Sequence, residues 1–105
     1  MTLISKAFDL KDAVEYSGDS VVSKTILDKS VGTVTLFAFD KGQGLSEHTA
    51  PFDALVYILD GKAVLTIGGE TVTAGSGQMV IMPTDVPHSV KAEEKFKMML
   101  VMIRA

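Results

Sequence analysis

From Val21 onward the chain is a succession of short runs rich in β-branched and aromatic residues, each ended by a turn signal. VVSKTIL, VTLFAF, ALVYIL, AVLTIG, TVTAG, MVIM, HSV and FKMMLVMI carry the side chains that suit a pleated surface. Between them stand Asp28-Lys29-Ser30, Asp40-Lys41-Gly42-Gln43-Gly44, Asp60-Gly61, Gly68-Gly69, Gly75-Ser76-Gly77 and Pro83-Thr84-Asp85. Many short strands at this spacing predict an all-β sandwich or barrel rather than an alternating α/β sheet. Asp60-Gly61 supplies the positive φ angles of a two-residue hairpin, so ALVYIL and KAVLTI are expected to pair directly. Gly68-Gly69 is expected to close a second hairpin onto TVT.

Helix-like spacing occurs in AFDLKDAVEY, at Ala7, Leu10 and Val14, and is very short. The expected organisation is an N-terminal arm over residues 1–20 and one barrel domain over residues 21–105. A chain of 105 residues suits a single compact domain, and an apolar share of 47% is enough for a core. Two strands are apolar on both faces. In ALVYIL, Ala54, Val56 and Ile58 oppose Leu55, Tyr57 and Leu59; FKMMLVMI has the same double character. A strand covered on one side alternates apolar with polar. A homodimer interface is the economical cover for the second face, and burial within the chain is the alternative.

Several function classes fall away on composition. A net charge of −3 without a basic block argues against a nucleic-acid partner. The absence of cysteine excludes disulfides and thiolate metal sites and asks for no oxidising compartment. No stretch has the roughly 18–20 consecutive apolar residues of a membrane helix, and MTLISKAFDLKD is too acidic for a signal peptide. The expected location is the cytoplasm, with no membrane partner.

Both histidines stand in motif-like surroundings: Gly42, His48 and Gly61 in one segment, Gly77, Pro83 and His88 in another. The spacing resembles the two motifs of the cupins, G-x5-H-x-H-x3-E-x6-G and G-x5-P-x-G-x2-H-x3-N, over residues 32–104. The resemblance implies a cupin-type β-barrel, a double-stranded β-helix or jelly roll, and points toward a homodimer. Metal-binding cupins take two histidines and a glutamate from the first motif and one histidine from the second. Here His48 and His88 fill two of those positions. Ala50 and Ala54 stand where the other histidine and the glutamate belong, and Asp85 and Ala92 replace the second motif's later glycine and asparagine.

The expected ligand pocket is therefore His48, Ala50, Ala54 and His88, with the two alanines leaving space against an apolar wall. A metal, if held by His48 and His88, would be one divalent ion: Fe, Mn, Ni or Zn. Such a site needs a further anionic ligand. Asp53 is one residue short of the glutamate position, Glu47 is expected to face away, and Gln78 offers a neutral oxygen only if its strand starts inward. Phe37 and Phe39 read as core more readily than as pocket, and Met79, Met82, Met98, Met99 and Met102 as adaptable filler. The functional expectation is a small-molecule-binding cupin with a partial or absent metal site. The alternative is a metal-dependent oxygenase or isomerase acting on a small organic acid or sugar-like compound. A metal-free catalyst using either histidine as general base is a third possibility.

Overall fold

A computed structural model describes residues 3–104. Nine strands follow one another: β1 (Val21–Lys29), β2 (Gly32–Phe39), β3 (Gly44–His48), β4 (Asp53–Asp60), β5 (Lys62–Ile67), β6 (Glu70–Gly75), β7 (Met79–Met82), β8 (His88–Lys91) and β9 (Phe96–Ile103). They form two antiparallel sheets, ordered β1-β2-β9-β4-β7 and β3-β8-β5-β6. The all-β barrel read from the turn spacing is what the chain forms. Within residues 7–16, where the helix-like spacing is short, there is a 3-10 turn, Leu10–Asp12. Among the described residues no helix is long and apolar enough to cross a membrane.

Gly68-Gly69 closes the expected hairpin, with Ile67 opposite Glu70. Asp60-Gly61 does not. β4 pairs with β7 and β9 in the first sheet, whereas β5 pairs with β6 and β8 in the second. The Asp-Gly pair turns a corner between sheets. Gly61 has the positive φ that such a pair favours, at 76°. A positive φ specifies a sharp local reversal; whether the two arms then bond to each other depends on what the rest of the chain offers them. A bulge between Ile58 and Asp60, opposite β9, disturbs the end of β4 just before the corner.

Register places one row of side chains after another along the barrel interior. In the first sheet the rows are Phe39–Phe96, then Phe37–Met98–Ile58, then Thr35–Leu100–Val56–Val80, then Thr33–Met102–Ala54–Met82. In the second they are Ala63–Ala74, then Leu45–Val90–Leu65, then His48–His88–Ile67. Backbone bonds continue the pairing past the strand ends. Gly42 N–H donates to the Ala92 carbonyl, extending β3 on β8 toward the phenylalanine end, while at the other end Gly68 N–H donates to Pro87 and Asp85 N–H to Ala50, joining the loops before β8 and before β4. The histidine row and the Ala54 row therefore share one end of the barrel, its mouth.

The second face of the two-sided strands is partly covered within the chain. Val14 of the N-terminal arm is buried with Leu36 and Ala38, flanked by Leu10, Tyr16, Leu59 and Met99. Tyr16 latches the arm: its hydroxyl donates to Asp60 Oδ2 at 2.6 Å, and the Lys95 and Lys97 ammonium groups sit 4.8 and 4.9 Å from its ring centroid. Lys97 Nζ also donates to the Lys11 carbonyl. Burial first, then the Asp60 hydrogen bond and charge, push Tyr16 ionisation well above the usual phenol range, so the latch keeps its proton.

Candidate functional site at the barrel mouth

His48 reaches His88 because its strand is irregular. Leu45 pairs with Val90 and packs on the core, and His48, three residues later, pairs with His88, two residues back along β8. In a regular strand Leu45 and His48 would face opposite sides. The bulge inserts one residue and restores His48 to the inner face. GLSEH, absent from the apolar runs that mark strands in the sequence, is thus a strand whose defect aims the histidine. Glu47 is exposed.

The two imidazoles meet nearly edge to face, ring centroids 4.4 Å apart and planes at 71°. Their Nε2 atoms lie 3.1 Å apart. Each ring also spends its Nδ1 on the carbonyl two residues before it, Ser46 at 2.8 Å and Val86 at 3.1 Å. A carbonyl oxygen only accepts, so each Nδ1 carries a hydrogen. In the neutral rings both Nε2 atoms then present lone pairs to each other. That arrangement calls for a shared proton, a donor from a ligand, or a cation. His88 is buried, with 4% of its surface accessible, and His48 is exposed. One ring anchors the site and the other opens it to solvent.

The alanines divide. Ala50 is half-buried and its carbonyl accepts the Asp85 N–H, tying the first motif's loop to the second's. Ala54, expected to leave space at a pocket, is covered: 2% of it is accessible, and it packs in the core between its row neighbours Met82 and Met102. The methionines take up what the shorter side chain leaves. Across the same row lies Thr33, whose Oγ1 is the one buried side-chain oxygen or nitrogen without a hydrogen-bond partner among the described residues. Nothing in the sequence distinguished Thr33 from any other strand threonine.

The expected extra ligands are engaged elsewhere. Asp53 starts β4 on the outer face, opposite Ile103, and its Oδ1 accepts from the Thr84 N–H at 3.0 Å and the Thr84 hydroxyl at 2.9 Å. Gln78 Oε1 accepts from Gly75 N–H in the turn between β6 and β7. Asp85 occupies the motif's glycine position in the left-handed conformation a glycine would adopt, φ 60°, which aspartate tolerates. Among the described residues no three His, Cys, Asp or Glu side chains gather closely enough to hold a metal ion. The donor set therefore does not fit the divalent centre that the family implies.

The Cupin domain family model matches residues 35–104. A conserved Streptococcus pyogenes protein of unknown function is 38% identical, with a TM-score of 0.92, over 96% of this chain and 89% of its own. A cupin 2 conserved barrel domain protein from Leptotrichia buccalis is also 38% identical, with a TM-score of 0.90, over 92% of this chain but 47% of its own. An uncharacterized protein of Streptomyces coelicolor is 28% identical over 85 residues, 79% of this chain and 80% of its own. The chain belongs to the cupin family.

Proposed function

We propose that this cupin binds a small organic molecule at the barrel mouth, held by His48 and His88 without a resident divalent metal. The observation that carries the reading is the facing pair of Nε2 atoms at 3.1 Å, with both Nδ1 hydrogens already committed to carbonyls. Such a pair accepts hydrogen bonds and is incomplete without a donor. A ligand hydroxyl or carboxylic acid supplies one. The unpartnered Thr33 Oγ1 offers a second polar contact, and Ile67 and Met102 an apolar wall. A small organic acid or polyol has that combination of groups.

Native mass spectrometry of the protein as purified, followed by titration of metal-free protein with glycolate, malate and small sugars, tests this. The ring 15N signals of His48 and His88 should shift with at least one probe. The His48→Ala, His88→Ala double variant should stay folded and lose that response. Binding unchanged in the double variant would remove both residues from the site. A stoichiometric divalent metal in the purified protein would favour the metal-dependent enzyme instead.

The same reading includes a homodimer. The arm leaves part of the outer face open: Met79 and Ile81 of β7 and Ile103 of β9 stay exposed, Ile81 at 63%, beside half-buried Leu55, Tyr57 and Val101. A two-fold contact between copies is the usual cover for such a patch. Sedimentation equilibrium at micromolar concentration should give the dimer mass, and Ile81→Glu the monomer mass. A wild-type monomer would mean that this face stays in water.

A further inference from the structure

A cavity of about 690 Å3 lies in the trough between the N-terminal arm and the edge strand β1, and shares no residue with the histidine mouth. Leu3, Ile4 and Phe8 of the arm line one side, Ile26 and Leu27 of β1 the other, and Lys24 borders it. The bulge in β1 makes the trough. Register shifts between Thr25 and Leu27, so that Leu27 pairs with Val34 while Ile26 packs on the outer cluster of Val14, Leu36 and Ala38. Two consecutive apolar side chains thereby line one cavity, where a regular strand would send them to opposite faces.

The trough is open to water. Ile4 is 70% accessible, Leu27 45% and Phe8 38%, so three large apolar side chains around one cavity stay wet. Contiguous exposed apolar surface marks a site of interaction, and the volume falls within the ~300–1,000 Å3 of small-ligand pockets. The charge at its border is positive. Lys24 Nζ donates to the Ala13 carbonyl at 3.2 Å, which engages one of the three ammonium hydrogens. That partner is neutral, and among the described residues no carboxylate pairs with Lys24. A complementary occupant therefore has an apolar chain for the walls and one negative charge for the ammonium. An anionic membrane surface fits less well, because the chain carries a net charge of −3.

We propose that this trough binds a free medium-chain carboxylate, its alkyl chain between Phe8 and Leu27 and its head group on Lys24. The site is separate from the histidine pair and does not rest on the function proposed above.

Calorimetric titration of the full chain with octanoate, decanoate and decanol, each below its micelle-forming concentration, tests it. One decanoate should bind per chain, with affinity rising about fourfold per added methylene, the ratio for burying a methylene group. Decanol should bind at least fivefold more weakly. Lys24→Met keeps the alkyl stem and removes the charge, so decanoate should fall to the level of decanol while decanol itself is unchanged. Leu27→Glu, at a side chain already exposed, should abolish binding of both with circular dichroism unchanged. Methyl signals of Ile26 and Leu27 should shift with decanoate, and the ring 15N signals of His48 and His88 should not.

The proposal is overturned by no saturable decanoate binding, or by equal affinity in wild type and Lys24→Met. Loss of decanoate binding as protein concentration rises would assign the trough to a second copy and overturn it too. So would competition from phosphatidylglycerol vesicles, which would assign it to a membrane. The His48→Ala, His88→Ala double variant should keep decanoate binding, so this site and the barrel mouth stand or fall separately.

Discussion

Replacing Phe39 with alanine is expected to cost about 3–5 kcal/mol of stability, the range for emptying an aromatic core site. Phe39 has no accessible surface. Its ring stacks on Phe96 with centroids 4.5 Å apart and planes at 11°, and on Phe37 at 5.8 Å and 24°. The three rings join neighbouring inner rows of β2 and β9 at the end of the barrel away from the histidines. Alanine removes the burial of a whole ring and leaves a void that a closed barrel cannot easily collapse. Domains of this size are stable by only about 5–15 kcal/mol, so the variant should be barely folded. Urea denaturation measures the loss, and Phe39→Leu, which refills part of the space, should recover part of it. A loss under about 1 kcal/mol would show that the stack carries little of the core.

Gly61→Val should be nearly as damaging, on the order of 3–4 kcal/mol, through backbone strain and a clash together. Gly61 has φ 76°, and a Cβ there would run into the Lys95 carbonyl oxygen and the Phe96 backbone. Gly69 is the control. Its φ is 85°, but nothing lies within 4 Å of an added Cβ. Gly69→Val therefore reports the strain of a β-branched residue at positive φ by itself, and the difference between the variants reports the clash. Equal losses in thermal or urea unfolding would mean that the corner between the sheets can open to admit a side chain.

The corner at Gly61 also marks where sequence reading stopped short. Asp60-Gly61 correctly signalled a reversal, and Gly68-Gly69 signalled one that is a true hairpin. The two look alike in sequence because turn residues report local φ, not the sheet that receives the next strand. GLSEH was missed as a strand because glycine, serine and glutamate lack the apolar alternation that marks one, and the bulge that turns His48 inward shifts its parity. Asp53 stands one residue short of the motif's glutamate, a step that in a strand points a side chain to the opposite face. Its position on the outer face of β4 and its two bonds to Thr84 remove it from the candidate site. Met82 and Met102 read from sequence only as adaptable filler, and their place on either side of Ala54 follows from cross-strand register alone.

By itself the sequence determined the all-β class, the family motifs and the two histidine positions. These rest on local chemistry: β-branched runs, residues that permit sharp reversal, and fixed intervals between them. The tertiary structure alone decided which strands share a sheet, that the arm covers Leu36 and Ala38, and that Thr33 lies in the row of Ala54. It also decided that both imidazoles turn Nε2 toward each other. Each of these is a relation between residues far apart in the chain. Such relations are set by closure of the barrel, where one register must satisfy nine strands at once, and no single segment carries that information.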